Sequence, residues 1–183
     1  MGSTHEYVWE LPYARVIFSV SAASDMGLVR RVNEDSYLAV PPLFIVADGM
    51  GGHAFGDRAS QETARVLGSL LPSDQPSTAR HVLDAVAGAN RAVQAISDDD
   101  FAGTTLTGIA LVQDESGASC TWMAFNVGDS RVYTWNGSIL SQVSVDHSAV
   151  QELVDEGVIT AEQAAAHPER NVITRAIGID SDP

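Results

Sequence analysis

Cysteine occurs once in these 183 residues, as Cys120, so no intrachain disulfide is available to brace the fold. A chain that must hold its core without disulfides suits a reducing compartment, and a cytoplasmic location is the expectation. Basic residues are also scarce: 10 Lys and Arg stand against 24 Asp and Glu, a net charge of -14. That balance argues against nucleic acid or an anionic membrane as partner, since both recruit cationic surfaces through counterion release. No apolar run approaches the roughly 18 residues of a membrane-spanning helix, and no basic stretch followed by an apolar run opens the chain. A serine in a nucleophile elbow, a Walker loop and a cysteine in an electropositive signature are all missing, which leaves covalent catalysis and nucleotide hydrolysis with little support.

What is present is enough for one substantial core. Hydrophobic residues make up 45% of the chain, and the length suits a single domain over 1–183. Residues 1–12 read as a weakly ordered lead-in, and the β-branched and aromatic run 15–21 reads as the first strand. Segments 35–40 and 43–47 read as two strands of a hairpin joined across Pro41-Pro42, the second apolar enough to be buried on both faces. After a glycine cluster the apolar spacing becomes helical, with Ala59, Ala64, Val66, Leu67, Leu70 and Leu71 on one stripe. A second helix follows Pro76, with Ser77 as N-cap. Strand patterns over 104–113, 119–127, 131–135 and 139–145 then form a meander, with Asn136-Gly137 as a two-residue hairpin signal. A short-helical stretch over 149–166 and a returning strand over 171–179 complete an α+β reading, with helices packed outside two antiparallel sheets.

Three acidic points sit where strands end. In Val46-Ala47-Asp48-Gly49-Met50-Gly51-Gly52-His53 an apolar strand runs into a carboxylate and then three glycines within four positions. Asp48 offers carboxylate oxygen, the Gly49 carbonyl is unobstructed by a side chain, and magnesium or manganese prefers such donors. By itself the segment is equally a glycine-rich turn with a solvated aspartate. Asp35, at the start of the partner strand, comes close to Asp48 if the two strands pair. Arg30 and Arg31 precede it and offer guanidinium forks for phosphate; taken singly, each reads first as a surface partner of Glu34 or Asp25. Asp129, in Asn126-Val127-Gly128-Asp129-Ser130-Arg131, reads as a ligand or as a bend residue paired with Arg131. His53 is a candidate general acid towards a leaving alkoxide, whereas His147 reads as a helix-start residue with Asp146 as N-cap. With covalent routes set aside, metal-activated water is the chemistry that remains.

Taken together, six ordered blocks resemble the metal-dependent protein phosphatases of type 2C, the PPM family, and especially its compact bacterial members. The blocks are Gly27-Leu28-Val29-Arg30-Arg31-Val32-Asn33-Glu34-Asp35, the Val46 to His53 segment, Gly103-Thr104-Thr105, the Val127 to Tyr133 segment, Asp146-His147-Ser148 and Asn171-Val172-Ile173-Thr174-Arg175-Ala176-Ile177-Gly178. The resemblance implies an antiparallel β-sandwich flanked by helices, with two or three Mn2+ or Mg2+ ions at one end and a phosphorylated protein as substrate. It also implies residue roles. Asp48 bridges the metals, the Gly49 carbonyl binds one of them, Asp35 supports the cluster through water, Arg30 contacts the phosphate and Asp129 helps hold a third ion. Residues 148–174 match a flap beside the site, and Met50 falls where some eukaryotic relatives carry a histidine proposed as general acid.

Family members continue to a Ser-Asp-Gly block and a later Asp-Asn block whose aspartates complete the cluster. Neither lies within these 183 residues. The expectation is therefore a truncated form of an active phosphatase that lacks the C-terminal strands, with self-association through an exposed sheet edge; the alternative is a catalytically weak or inactive phosphatase-like binding module.

Overall fold

The computed structural model describes residues 4–51, 55–96 and 102–180. Its centre is an antiparallel sheet in the order β3 (Asp35–Val40), β4 (Leu43–Met50), β6 (Leu106–Gln113) and β7 (Cys120–Val127), with the short β5 (Gly103–Thr104) beside the end of β4. Alternation along β4 decides the layers. Leu43, Ile45, Ala47 and Gly49 are buried on one face, while Phe44, Val46, Asp48 and Met50 belong to the other.

Against the first face pack α1 (Gly56–Leu70) and α2 (Ala79–Ile96). Their inward residues, among them Ala59, Val66, Leu67, Val82, Ala89 and Val93, join Leu43, Ile45 and Leu106 in the core. The cap of α2 is Thr78 rather than Ser77: the Thr78 hydroxyl accepts from the His81 amide at 3.2 Å. Ser77 is instead buried and bonded through its backbone to Leu111 and Gln113. A residue whose main chain extends a sheet edge is not free to open a helix.

The opposite face of the sheet carries a separate hairpin of β1 (Thr4–Leu11) and β2 (Ala14–Ser21). The expected lead-in over 1–12 is therefore corrected, since Thr4–Leu11 is a full strand. Its alternation is blurred in sequence by Val8, an apolar residue on the outward side between the inward Tyr7, Trp9 and Leu11, and its register is set by the partner strand, with Leu11 facing Ala14 across the turn. Phe18 is the link between layers, with ring centroids 6.1 Å from Phe44 and 6.0 Å from Trp122. This second layer is only two strands wide, and Tyr37 and Val46 on the facing sheet stay 46% and 47% exposed.

Beyond β7 come β8 (Tyr133–Trp135) and β9 (Leu140–Gln142), paired as a hairpin. Trp135 faces Leu140, so the loop holds four residues rather than two. Within it the Asn136 side chain accepts from the amides of Ser138 and Ile139 at 3.0 and 2.9 Å, and Gly137 takes a φ of 95°. Then follow α3 (Ala149–Asp155) and α4 (Ala161–Ala165). Ser148, not Asp146, caps α3, accepting from the Gln151 amide. The strand expected over 171–179 is absent: only isolated bridges form, Ser148 with Ile173 and Thr104 with Ile177. Gly178, with a φ of 90°, interrupts any extended run there. No helix among the described residues is long and apolar enough to cross a membrane.

Candidate metal centre

The site grows from the end of β4. Asp35 and Asp48 are direct register partners across β3 and β4, so two carboxylates share one rung of the ladder. The Asp35 amide donates to the Asn33 side chain at 3.1 Å, which turns the incoming chain onto the strand. Gly49 comes next because nothing larger fits: a Cβ there would overlap the Gly56 carbonyl and lie 2.7 Å from the Glu34 carbonyl oxygen. The Gly49 amide donates to that same Glu34 carbonyl at 3.1 Å. The glycine therefore lets the loop before β3, the end of β4 and the start of α1 meet backbone to backbone.

Thr105 fixes Asp48 from the other side. The Asp48 amide donates to the Thr105 hydroxyl at 3.0 Å, and the Thr105 amide donates back to the Asp48 carbonyl at 2.9 Å. The same hydroxyl lies 2.7 Å from that of Ser130. Gly128 takes a φ of 99° and lies so close to Thr105 that a Cβ would stand 2.8 Å from the threonine methyl. Through this contact the Asp129 loop is seated beside β4.

Arg131 does not pair with Asp129. Its guanidinium is instead bound to Asp146, Nε at 2.9 Å from both carboxylate oxygens and Nη2 at 2.5 Å from one. Asp146 is only 7% exposed and accepts a further bond from Gln142 at 3.0 Å. The expectations that Asp129 pairs with Arg131 and that Asp146 caps a helix fail for one reason: Asp146 outcompetes Asp129 for the fork. Asp129 is thereby left facing the cleft. His147 is half-buried beside the same loop, its amide donating to the Gly128 carbonyl at 2.8 Å.

Arg30, Glu34, Asp48, Gly49, Thr105 and Asp129 line a cleft of about 490 Å³, together with Met50 and Asn171. Partial burial, then the charges of Asp35 and Asp129, push the Asp48 carboxyl up to about 6, with Arg30 opposing them. Among the described residues no three His, Cys, Asp or Glu side chains stand close enough to enclose an ion by themselves. The donor set nevertheless fits a hard divalent cation that keeps much of its water: the charges of Asp35 and Asp129 both oppose ionisation of Asp48, and an added cation relieves that repulsion. Of the candidates named from sequence, Arg30, Asp48, Gly49 and Asp129 come together in the cleft and Asp35 stands behind Asp48 in the ladder. His53 lies outside the described residues. Thr105 was missed as a site residue, because a hydroxyl that accepts from a backbone amide leaves no signal in spacing or charge.

No protein-family model matches the chain. Individual proteins do. The chain is 39% identical over 167 residues to the serine/threonine protein phosphatase PstP of Mycobacterium tuberculosis, an alignment that covers 88% of this chain and 31% of that protein. The crystal structure of the PPM Ser-Thr phosphatase MsPP from Mycobacterium smegmatis, in complex with cacodylate, matches with a TM-score of 0.76 at 36% identity, over 87% of this chain and 66% of that one. The catalytic domain of PstP in complex with two manganese ions matches with a TM-score of 0.71 at 37% identity, over 88% of this chain and 67% of that one. This chain belongs to the PPM family of serine/threonine phosphatases. It spans about a third of the length of PstP and about two thirds of the solved PPM structures. The PPM fold accounts for the layering seen here, an antiparallel sandwich with helices outside it.

Proposed function

We propose that this chain carries the catalytic machinery of a metal-dependent protein serine/threonine phosphatase that uses manganese or magnesium to hydrolyse phosphoserine and phosphothreonine. One observation carries the reading: Asp48 is set on a β-ladder rung with Asp35, within the field of Asp129 and Arg30, at the floor of an open cleft. The manganese ions held by the related PstP catalytic domain support the choice of metal.

Asp48 and the Gly49 carbonyl are the proposed ligands, with Asp35 supporting them through water and Asp129 holding a further ion. A bound divalent ion would supply Lewis acidity, neutralising phosphoryl charge and lowering the pKa of water. The protein's own part is positional. Thr105 holds Asp48 at backbone level through both its amide and its carbonyl, so the strand end that carries the carboxylate is fixed beside the cleft. Arg30, on the cleft wall, is placed to receive the phosphate oxygens and orient the monoester. Residues 148–174 form a flap beside the cleft, pinned at its base by the Ser148–Ile173 bridge and by the Thr174 amide donating to the His147 carbonyl at 2.9 Å. The lone cysteine fits a cytoplasmic setting, and the half-covered sheet face around Tyr37 and Val46 fits association with further chain, a second copy included.

The test is hydrolysis of p-nitrophenyl phosphate and of a phosphothreonine peptide with manganese titrated, beside Asp48→Ala. Turnover that needs manganese and vanishes in the variant supports the reading. Folded protein with no turnover at any manganese concentration would leave only a phosphatase-like binding module.

A further inference from the structure

A second cleft, of about 860 Å³, is larger than the one floored by Asp48. It lies between the β8–β9 hairpin and the two flap helices, and Asp129 and Asn171 line both clefts. The two clefts therefore adjoin, with Asp129 and Asn171 on their common border. Val150, Val154 and Ala164 form an apolar wall, and Arg170 stands at the rim. The volume falls within the range of sites that hold a ligand of several residues' size. An extended peptide advances about 3.3 Å per residue, so only a few residues separate a phosphate over Asp48 from this second cleft.

Charge tells which residues it takes. The cleft holds two guanidinium groups. Arg131 is committed, its fork filled by Asp146 and its remaining nitrogen 3.4 Å from the Tyr133 hydroxyl. Arg170 is not: it donates to the His167 carbonyl at 3.4 Å and makes no ion pair among the described residues. Arg131 and Asp146 neutralise each other and Asp129 is assigned to an ion of the adjoining centre, so Arg170 is the charged group of this cleft left to meet a ligand.

We propose that this groove is a docking subsite for the substrate residues flanking the phosphorylated one, and that Arg170 reads an acidic side chain there. The inference rests on the phosphatase reading of the adjoining site. It makes Arg170 a specificity residue, remote from the phosphoryl group.

The experiment is a set of phosphothreonine peptides with Glu, Gln or Lys placed in turn at each of the three positions on either side, assayed for kcat/KM with manganese. Wild-type protein should favour Glu over Gln at one or two positions by roughly threefold, the scale of one exposed charge pair. In Arg170→Glu the preference at those positions should invert towards Lys. Each ratio is taken within one protein, so a general loss of activity in the variant cancels. Equal rates for the three peptide series on the wild type, or a Glu preference that survives Arg170→Glu, would overturn the subsite while p-nitrophenyl phosphate turnover keeps the phosphatase reading intact. Absence of manganese-dependent turnover of p-nitrophenyl phosphate by the wild type would remove the phosphatase reading, and the subsite with it.

Discussion

Asp35 and Asp48 face each other on one rung of the β3–β4 ladder, two carboxylates where a stability-minded sheet would place opposite charges or none. The arrangement costs stability unless a cation joins it, and several consequences can be measured.

Asp48→Asn should stabilise the metal-free protein at neutral pH. The native carboxyl is pushed up to about 6 by partial burial and by Asp35 and Asp129, so ionising it at pH 7 opposes folding. After allowance for screening of a group open to the cleft, the gain is about 1 kcal/mol, or a few degrees in Tm. Calorimetric melts of both proteins in chelator check this, and an unchanged or lower Tm in the variant would contradict it.

Gly49→Ala should be among the most damaging single substitutions. Its Cβ would meet the Gly56 and Glu34 carbonyls, backbone atoms that cannot turn aside. A loss of about 3 kcal/mol or more in urea denaturation is expected, against a few tenths for the unobstructed Gly137→Ala loop control beyond its φ strain.

Arg131→Ala should cost about 3 kcal/mol, since it strands the buried Asp146 carboxylate with only Gln142 as side-chain partner. Arg131→Ala with Asp146→Ala should recover part of that loss. A double-mutant cycle in urea reads the coupling, and additive effects would show that the pair is not linked.

His147 supplies a pH dependence. Burial first and then Arg175 hold its pKa below 6.5, against the opposing charges of Asp146, Glu152 and Asp180. A depressed folded pKa means the neutral ring is favoured by folding, so its contribution is complete above pH 6.5 and is lost as pH falls through the folded value. His147→Asn should therefore flatten the fall in stability between pH 7 and 5, followed by urea midpoints at each pH.

Much of this was legible in the sequence, and the gaps have physical causes. The β3–β4 hairpin and helices α1 and α2 follow from alternation and from the Ala59, Val66, Leu67 stripe, because local pattern and tertiary burial agree there. The Asp48-Gly49 strand end was readable as a candidate site because a carboxylate beside bare backbone is itself unusual. Strand β1 was not readable, since the outward Val8 blurs its alternation and pairing with β2 supplies what local pattern does not. The fate of Asp146 was hidden for a similar reason. Its partner Arg131 is 15 residues away, and only the β8–β9 hairpin folding back brings the two together. Residues 171–179 carry strand-forming side chains yet form only isolated bridges, which shows position overriding propensity.

The most direct test of the metal centre is an isothermal titration of manganese into the wild-type chain and into Asp48→Ala, both first shown to be folded. The account predicts saturable binding by the wild type, weakened at least tenfold or lost in the variant. Manganese bound equally well by both proteins would contradict the assignment of Asp48, and with it the proposal that this carboxylate cluster is built to hold metal against phosphate.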